Sequence, residues 1–211
     1  MTLPIDVEAV RNATVVNDPF PYLMVPGFVK TEAIDGIEHD FPHVTHAGSF
    51  PLPTLDFGPK FQEFMDAIRG PEFTKAVADK FGIDLSHRPT MVTVRGQSSA
   101  RDGQIHTDSV TKLITVLIYM NGKWESPKGR LRLLRSPDNL NDVVAEVPPD
   151  EGTLLVFKNQ PNAWHGFEAF EGPRKVIQLN WVTNGRVVWW EQTRHKISAF
   201  FKGKHAAPAR M

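Results

Sequence analysis

Apolar positions along the chain follow two periods, and the change between them falls near residue 90. Before it the spacing is helical. Phe61, Phe64, Met65 and Ile68 predict a helix from about Pro59 to Arg69, and Phe73, Val77 and Phe81 predict another over about 71–81. Gly70-Pro71 separates the two, with proline at a position that opens a helix. Thr31 is placed to cap an earlier helix through about Phe41, whose stripe is Ala33, Ile34, Ile37 and Phe41. Residues 1–30 read as extended and turn-rich, broken by Pro19, Pro21 and Pro26-Gly27, with a short strand at Tyr22-Leu-Met-Val. Ser49 to Pro59 is a loop whose Phe50, Leu52, Leu55 and Phe57 pack down.

From Thr90 onward β-branched and alternating runs replace the helical stripes. Strands are expected at Met91–Arg95, Lys112–Met120, Arg130–Leu134, Val143–Val147, Thr153–Phe157 and Lys175–Thr183. Asn121-Gly122, Ser136-Pro-Asp-Asn and Pro148-Pro-Asp-Glu-Gly152 are turn signals, and 96–103 and 158–163 are loops. Short strands with frequent turns indicate an antiparallel sandwich or jelly roll. Val187, Val188, Trp190, Arg194, Ile197 and Phe201 predict a closing helix over about 186–201, followed by a loose tail after Gly203. The expected fold is mainly β (α+β): a jelly-roll core over about 90–183, with a helical and extended N-terminal part over about 1–89. With no repeat or linker, 1–211 reads as a single domain.

Composition narrows the function classes. Lys+Arg and Asp+Glu are 24 each, so the formal charge is zero, which argues against a nucleic-acid or membrane-surface protein. There is no cysteine, which removes disulfides, thiolate metal sites and cysteine nucleophiles together and fits a reducing cytosol. The opening Met1-Thr-Leu-Pro-Ile-Asp has no basic stretch leading into an apolar one, so no signal peptide is expected. No apolar run approaches the roughly 18 residues of a membrane span. The default is a soluble cytoplasmic enzyme or binding protein.

The chemistry is concentrated in Gly103-Gln-Ile-His106-Thr-Asp108, directly before the strongest strand. Residues two apart in an extended chain point to the same side, so an imidazole nitrogen and a carboxylate oxygen converge there. A third ligand follows a later strand, at His165 in Asn162-Ala-Trp164-His165-Gly, and Arg174 opens the strand after that. Two histidines and one carboxylate on one face of a metal, with other positions open, form the facial triad of non-haem Fe(II) oxygenases. A jelly roll brings such distant strands together at its mouth. His39, His43 and His46 also cluster, but in a proline-rich stretch without a matching carboxylate, and read as helix-end and loop histidines.

His106-x-Asp108, Trp164-His165 and Arg174 with Trp181 in its strand resemble the Fe(II)/2-oxoglutarate-dependent dioxygenases, in their prolyl-4-hydroxylase-like branch. The resemblance covers about 90–183; Pro19-Phe-Pro-Tyr-Leu-Met-Val-Pro-Gly-Phe and the helices after it resemble the front of such proteins more loosely. It implies His106, Asp108 and His165 as iron ligands and Arg174 as the partner of the distal carboxylate of 2-oxoglutarate. It also implies dioxygen as co-reactant, with succinate and CO2 formed as a substrate C–H bond is hydroxylated. A guanidinium suits the carboxylate role, being a permanently charged, two-pronged donor.

Strand alternation extends the site. If Arg174 faces the cavity, Val176, Gln178 and Asn180 do too, while Ile177, Leu179 and Trp181 face the other layer. Thr115 and Tyr119 share one face of their strand and compete to offer the cosubstrate a hydroxyl; Asn180 is a third polar candidate. Arg95, Arg132 and Gln178 are the substrate candidates, with Arg101 flanking the same loop as Arg95; if Arg132 points inward, a second positive group near the metal favours an anionic small molecule. Segments 96–103 and 121–129 are the candidate covers, with Trp124 either at the mouth or anchoring its loop. Two alternatives remain: a hydroxylase of protein residues, and a cupin-like metal-binding jelly roll without oxygenase activity.

Overall fold

The computed structural model describes residues 3–185; the expected helix over 186–201 and the tail after it lie outside the described residues. In chain order the elements are α1 (Val7–Asn12), β1 (Tyr22–Val25), α2 (Thr31–His39), β2 (Phe50–Pro51), a 3-10 turn (Leu52–Thr54), α3 (Pro59–Arg69) and α4 (Pro71–Phe81). They continue with β3 (Thr90–Ser98), β4 (Lys112–Tyr119), β5 (Leu131–Leu134), β6 (Val143–Val147), β7 (Leu154–Lys158), β8 (His165–Gly166) and β9 (Gly172–Val182). The strands form two antiparallel sheets, one ordered β1-β7-β4-β9-β3-β2 and the other β6-β5-β8. This is the expected mainly β jelly roll with a helical layer.

Alternation gives the large sheet two unlike faces. Ile114, Val116 and Ile118 of β4, and Ile177, Leu179 and Trp181 of β9, pack in one apolar cluster with Phe61, Phe64 and Ile68 of α3 and Phe73 and Val77 of α4. The opposite face carries Thr115, Leu117 and Tyr119 of β4 beside Asn180, Gln178 and Val176 of β9, which are their register partners. That second face looks toward the small sheet, and the cavity lies there.

Three expectations are corrected. Residues 1–30 hold a helix, α1, capped by the Asp6 side chain accepting from the Ala9 amide at 2.9 Å, with Val7 and Val10 buried. Thr31 does not cap α2: Lys30 occupies that position without a side-chain bond, and the helix stops at His39. Strand β3 runs on to Ser98, past a bulge between Arg95 and Gln97, so the loop expected at 96–103 starts three residues later, with Gln97 and Ser98 paired to Pro173 and Gly172. Among the described residues no helix is long and apolar enough to cross a membrane.

Candidate active site

His165 lies on β8, a strand two residues long, and its backbone exchanges both hydrogen bonds with His106, each at 3.0 Å. The pairing requires the segment before His106 to run hard against β8. Gly103 holds φ +96, and a Cβ there would stand 2.1 Å from the Phe167 carbonyl oxygen; a Cβ on Gly166 would stand 2.8 Å from the Gly103 carbonyl oxygen. Both positions are therefore restricted to glycine by close backbone approach. The two imidazoles end 4.3 Å apart between ring centres, and Asp108, two residues on, reaches the same point. One ligand atom from each of His106, Asp108 and His165 lies within 4.8 Å of the others, which one ion can gather with small side-chain shifts. It is the only such group among the described residues, and His39, His43 and His46 form none.

The tautomers are set by the backbone. His106 Nδ1 lies 2.8 Å from the Gln104 carbonyl and His165 Nδ1 lies 3.0 Å from the Ala163 carbonyl. A carbonyl only accepts, so each Nδ1 carries the proton and each Nε2 keeps a lone pair for a metal. Burial pushes the His165 imidazole down to about 4, with His106 adding to the effect, so the ring is neutral at ordinary pH, the form a metal takes. Burial alone would push the Asp108 carboxyl up. Lys112 and His165, with hydrogen bonds from Lys112 and Thr115, outweigh it and leave the group below its usual value.

The carboxylate is held on both oxygens. Lys112 Nζ donates to Oδ1 at 2.7 Å, and the Thr115 hydroxyl donates to Oδ2. Thr115 in turn accepts from Asn180 Nδ2 at 2.8 Å, and Asn180 Oδ1 accepts from Gln178 Nε2 at 3.1 Å. Thr115 and Asn180 thus belong to the support of Asp108 rather than to free cosubstrate contacts. Lys112 was not singled out in the sequence; its signal is the four-residue spacing from Asp108, which a strand entrance can close.

Arg174 is buried, and its Nε donates to the Gly129 carbonyl at 2.8 Å. The guanidinium lies 4.3 Å over the Phe167 ring and 5.4 Å from the Tyr119 ring centre. Arg174 Nη2 and the Tyr119 hydroxyl are both buried without a hydrogen-bond partner. Burial pushes the guanidinium down and the phenol up from their ordinary values, and the attraction between the two groups opposes both shifts without cancelling them. A charge-bearing donor and a hydroxyl left unmatched side by side are what a carboxylate would complete. The cavity joining them to the triad holds about 290 Å³ and is lined by Arg95, Arg101, Gln104, Thr115, Leu117, Tyr119, Leu131, Phe167, Val176 and Gln178 among others.

Of the substrate candidates, Arg95 and Gln178 line this cavity and Arg132 does not. Arg132 instead pairs with Glu146 at 3.0 Å and Glu168 at 2.8 Å, because neighbouring Leu131 and Leu133 are the residues of β5 that turn inward to the core. Trp124 is a loop anchor, donating to the Lys128 carbonyl at 2.8 Å and packing edge-on against Phe170. Arg101, which flanks the loop leading to His106, lines the cavity as Arg95 does; Phe167 was missed in the sequence. Phe167 follows His165 by two residues, the strand spacing that puts both on one side.

A jelly roll with a two-histidine, one-carboxylate cluster and an unmatched arginine defines the class of Fe(II)- and 2-oxoglutarate-dependent oxygenases. Residues 97–183 match the family model of the 2OG-Fe(II) oxygenase superfamily, a stretch that includes His106, Asp108, His165 and Arg174. The protein is accordingly an oxidoreductase with Fe(II) and 2-oxoglutarate as cofactor and cosubstrate. Comparison with curated proteins finds no match. Among solved structures, a Pseudomonas putida prolyl-4-hydroxylase is similar at TM-score 0.57 and 13% identity, over 84% of this chain and 92% of that one. HygX from Streptomyces hygroscopicus, solved with nickel and 2-oxoglutarate, is similar at TM-score 0.54 and 12% identity, over 78% and 82%. A Trichoplax adhaerens prolyl hydroxylase, in complex with a hypoxia inducible factor peptide fragment, is similar at TM-score 0.53 and 15% identity, over 83% and 88%. At these identities the likeness is one of fold. With the superfamily match, the reading as a cupin-like protein without oxygenase activity is set aside.

Proposed function

We propose that His106, Asp108 and His165 hold Fe(II), that Arg174 and Tyr119 hold the distal carboxylate of 2-oxoglutarate, and that the enzyme hydroxylates a C–H bond of a small molecule. The observation that carries this is the unmatched pair of buried donors, Arg174 Nη2 and the Tyr119 hydroxyl, in the same cavity as the three ligands. With dioxygen, the bound iron and cosubstrate supply the oxidising chemistry: 2-oxoglutarate becomes succinate and CO2 as a substrate C–H becomes C–OH. The chain's own residues do the positioning. The Gln104 and Ala163 carbonyls aim the two Nε2 atoms, and Thr115, backed by Asn180 and Gln178, orients Asp108. Phe167 and Leu117 screen the cosubstrate from water. Arg174 fixes its far end through a charge-assisted pair. The cavity, about 290 Å³, has to take 2-oxoglutarate as well as the reacting part of the substrate, which supports a small substrate.

A protein residue as substrate is the second reading. It is favoured by a shallower depression next to the cavity, which shares Asp102, Gly103, Gln104 and Phe167 with it and would give an extended segment a path across the mouth. We read the chain as one domain, since a single apolar cluster runs from Ile5 through the helices to Trp181. A cysteine-free composition supports a cytoplasmic location.

The test is anaerobic addition of Fe(II) and then 2-oxoglutarate to metal-free protein, followed in the visible range. Chelation of Fe(II) by the 2-oxo acid gives a weak charge-transfer band, expected in the wild type and absent in Asp108→Ala. No band in wild-type protein that still binds Fe(II) tightly would overturn the assignment.

A further inference from the structure

The cavity lining contains more positive charge than iron and 2-oxoglutarate consume, and the surplus resides on one side chain. Arg174 is taken up by the cosubstrate on the reading above. Arg95 lines the cavity but is already neutralised: its Nη1 donates to Asp102 Oδ1 at 3.0 Å and its Nε donates to Ser49 Oγ at 2.8 Å. Arg101 lines the same cavity, is exposed, and makes no hydrogen bond or ion pair to any described residue. The turn that carries it is nonetheless fixed. Asp102 Oδ2 accepts from the Ser99 amide at 2.8 Å and from its hydroxyl at 3.0 Å, and the Asp102 amide donates to the Ser99 carbonyl at 3.0 Å. A guanidinium on a pinned turn, free of partners and facing a cavity, has a defined reach.

Charge balance points the same way. Arg95, Arg101 and Arg174 line the cavity against Asp102 and Asp108. An Fe(II) ion and a 2-oxoglutarate dianion add charges that cancel. One positive charge remains at the mouth, and Lys112 beside Asp108 adds to it rather than subtracting. Low-dielectric walls focus that field on whatever enters. Gln104, exposed and on the same lining, offers an amide next to it.

We propose that Arg101 binds an anionic group of the substrate, so that the enzyme oxidises small molecules carrying a carboxylate or a similar oxyanion. This deepens the oxygenase reading and rests on it. Arg101 holds the anionic end at the mouth, and the C–H bond to be oxidised lies inward, toward the metal.

Two carboxylate–amide pairs, hexanoate with hexanamide and benzoate with benzamide, are titrated by NMR into protein loaded with Zn(II) and 2-oxoglutarate. Zinc is inert to dioxygen, so binding is read without turnover. At least one acid is expected to bind more tightly than its amide. Arg101→Gln should weaken that acid about tenfold or more, the size of one charge-assisted hydrogen bond, and Arg101→Lys should restore part of it. The affinity for 2-oxoglutarate, measured first in the same sample, should be the same in all three proteins. Acids that bind no better than their amides, or that bind Arg101→Gln as well as wild type, overturn the proposal and leave the oxygenase reading standing. Failure of 2-oxoglutarate to bind in the first step overturns both.

Discussion

The two faces of the large sheet are built from the same strands and do opposite work. On β4, Ile114, Val116 and Ile118 enter the helical core while Thr115, Leu117 and Tyr119 look into the cavity; on β9, Ile177, Leu179 and Trp181 oppose Val176, Gln178 and Asn180 in the same way. The helical face is apolar and fully buried, so its contribution is to stability. The cavity face sacrifices apolar area for a buried arginine, a buried asparagine and a threonine tied into hydrogen bonds. A period of two residues lets one strand serve both ends, and it separates them cleanly enough to be tested one side chain at a time.

The largest effect is expected at the deep end of the cavity face. Arg174→Gln removes the charged partner proposed for the cosubstrate and should raise the KM for 2-oxoglutarate about a hundredfold, within the roughly 2–5 kcal/mol seen when one side of a buried charge pair is truncated. Metal affinity should not change. Stability should change little, because the lost bond to the Gly129 carbonyl and the lost ring contacts are offset by relief of burying a charge. A cosubstrate KM equal to wild type would remove Arg174 from the site.

Ile118→Ala is the counterpart on the helical face. Ile118 has no exposed surface, and the cavity left by its truncation should cost about 2–5 kcal/mol in a urea titration. The KM for 2-oxoglutarate should stay near the wild-type value. A large change in KM with little loss of stability would mean that the two faces are not separable.

Acid sharpens the comparison from a third direction. His165 in the folded, metal-free protein takes up a proton only near 4, against 6.5 for the free side chain. Between those values the unfolded chain binds more protons, so stability falls as pH drops through that window, by up to about 3 kcal/mol. Asp108, held below the ordinary carboxylate range, loses its own contribution only at lower pH. His165→Gln should flatten the loss between pH 6.5 and 4 in denaturation curves; an unchanged slope would assign it to other groups.

The helical face was largely legible in the sequence because packing writes itself as periodicity. The spacing of Phe61, Phe64, Met65 and Ile68 gave α3, and the alternation in β9 gave both of its faces. α1 was missed because it is one and a half turns long and its stripe is two valines, too little to register as a period. The three candidate ligands, which the structure brings together, were legible through residue type and strand context. Their surroundings were not, because partners in space leave no period. Arg132 and Arg101 illustrate this: both are arginines near the site in sequence, yet Glu146 and Glu168 occupy the first and nothing among the described residues occupies the second.

The smallest and most discriminating prediction concerns the two hydroxyls of β4. Thr115 and Tyr119 lie on the same face, four residues apart, and were equal candidates for the cosubstrate. The Thr115 hydroxyl is committed, donating to Asp108 and accepting from Asn180, whereas the Tyr119 hydroxyl is buried without a partner beside Arg174. Tyr119→Phe should therefore raise the KM for 2-oxoglutarate about fivefold to tenfold, the worth of a single hydrogen bond, and leave metal affinity alone. Thr115→Val should do the reverse, loosening Asp108 and weakening Fe(II) binding by a similar factor with a smaller effect on the cosubstrate. Isothermal titration of each variant with Zn(II), and then with 2-oxoglutarate, reads the two constants separately. If both variants lost cosubstrate affinity alike and kept their metal affinity, Asp108 would not depend on Thr115, and the chain of hydrogen bonds from Gln178 through Asn180 would have no part in holding the metal.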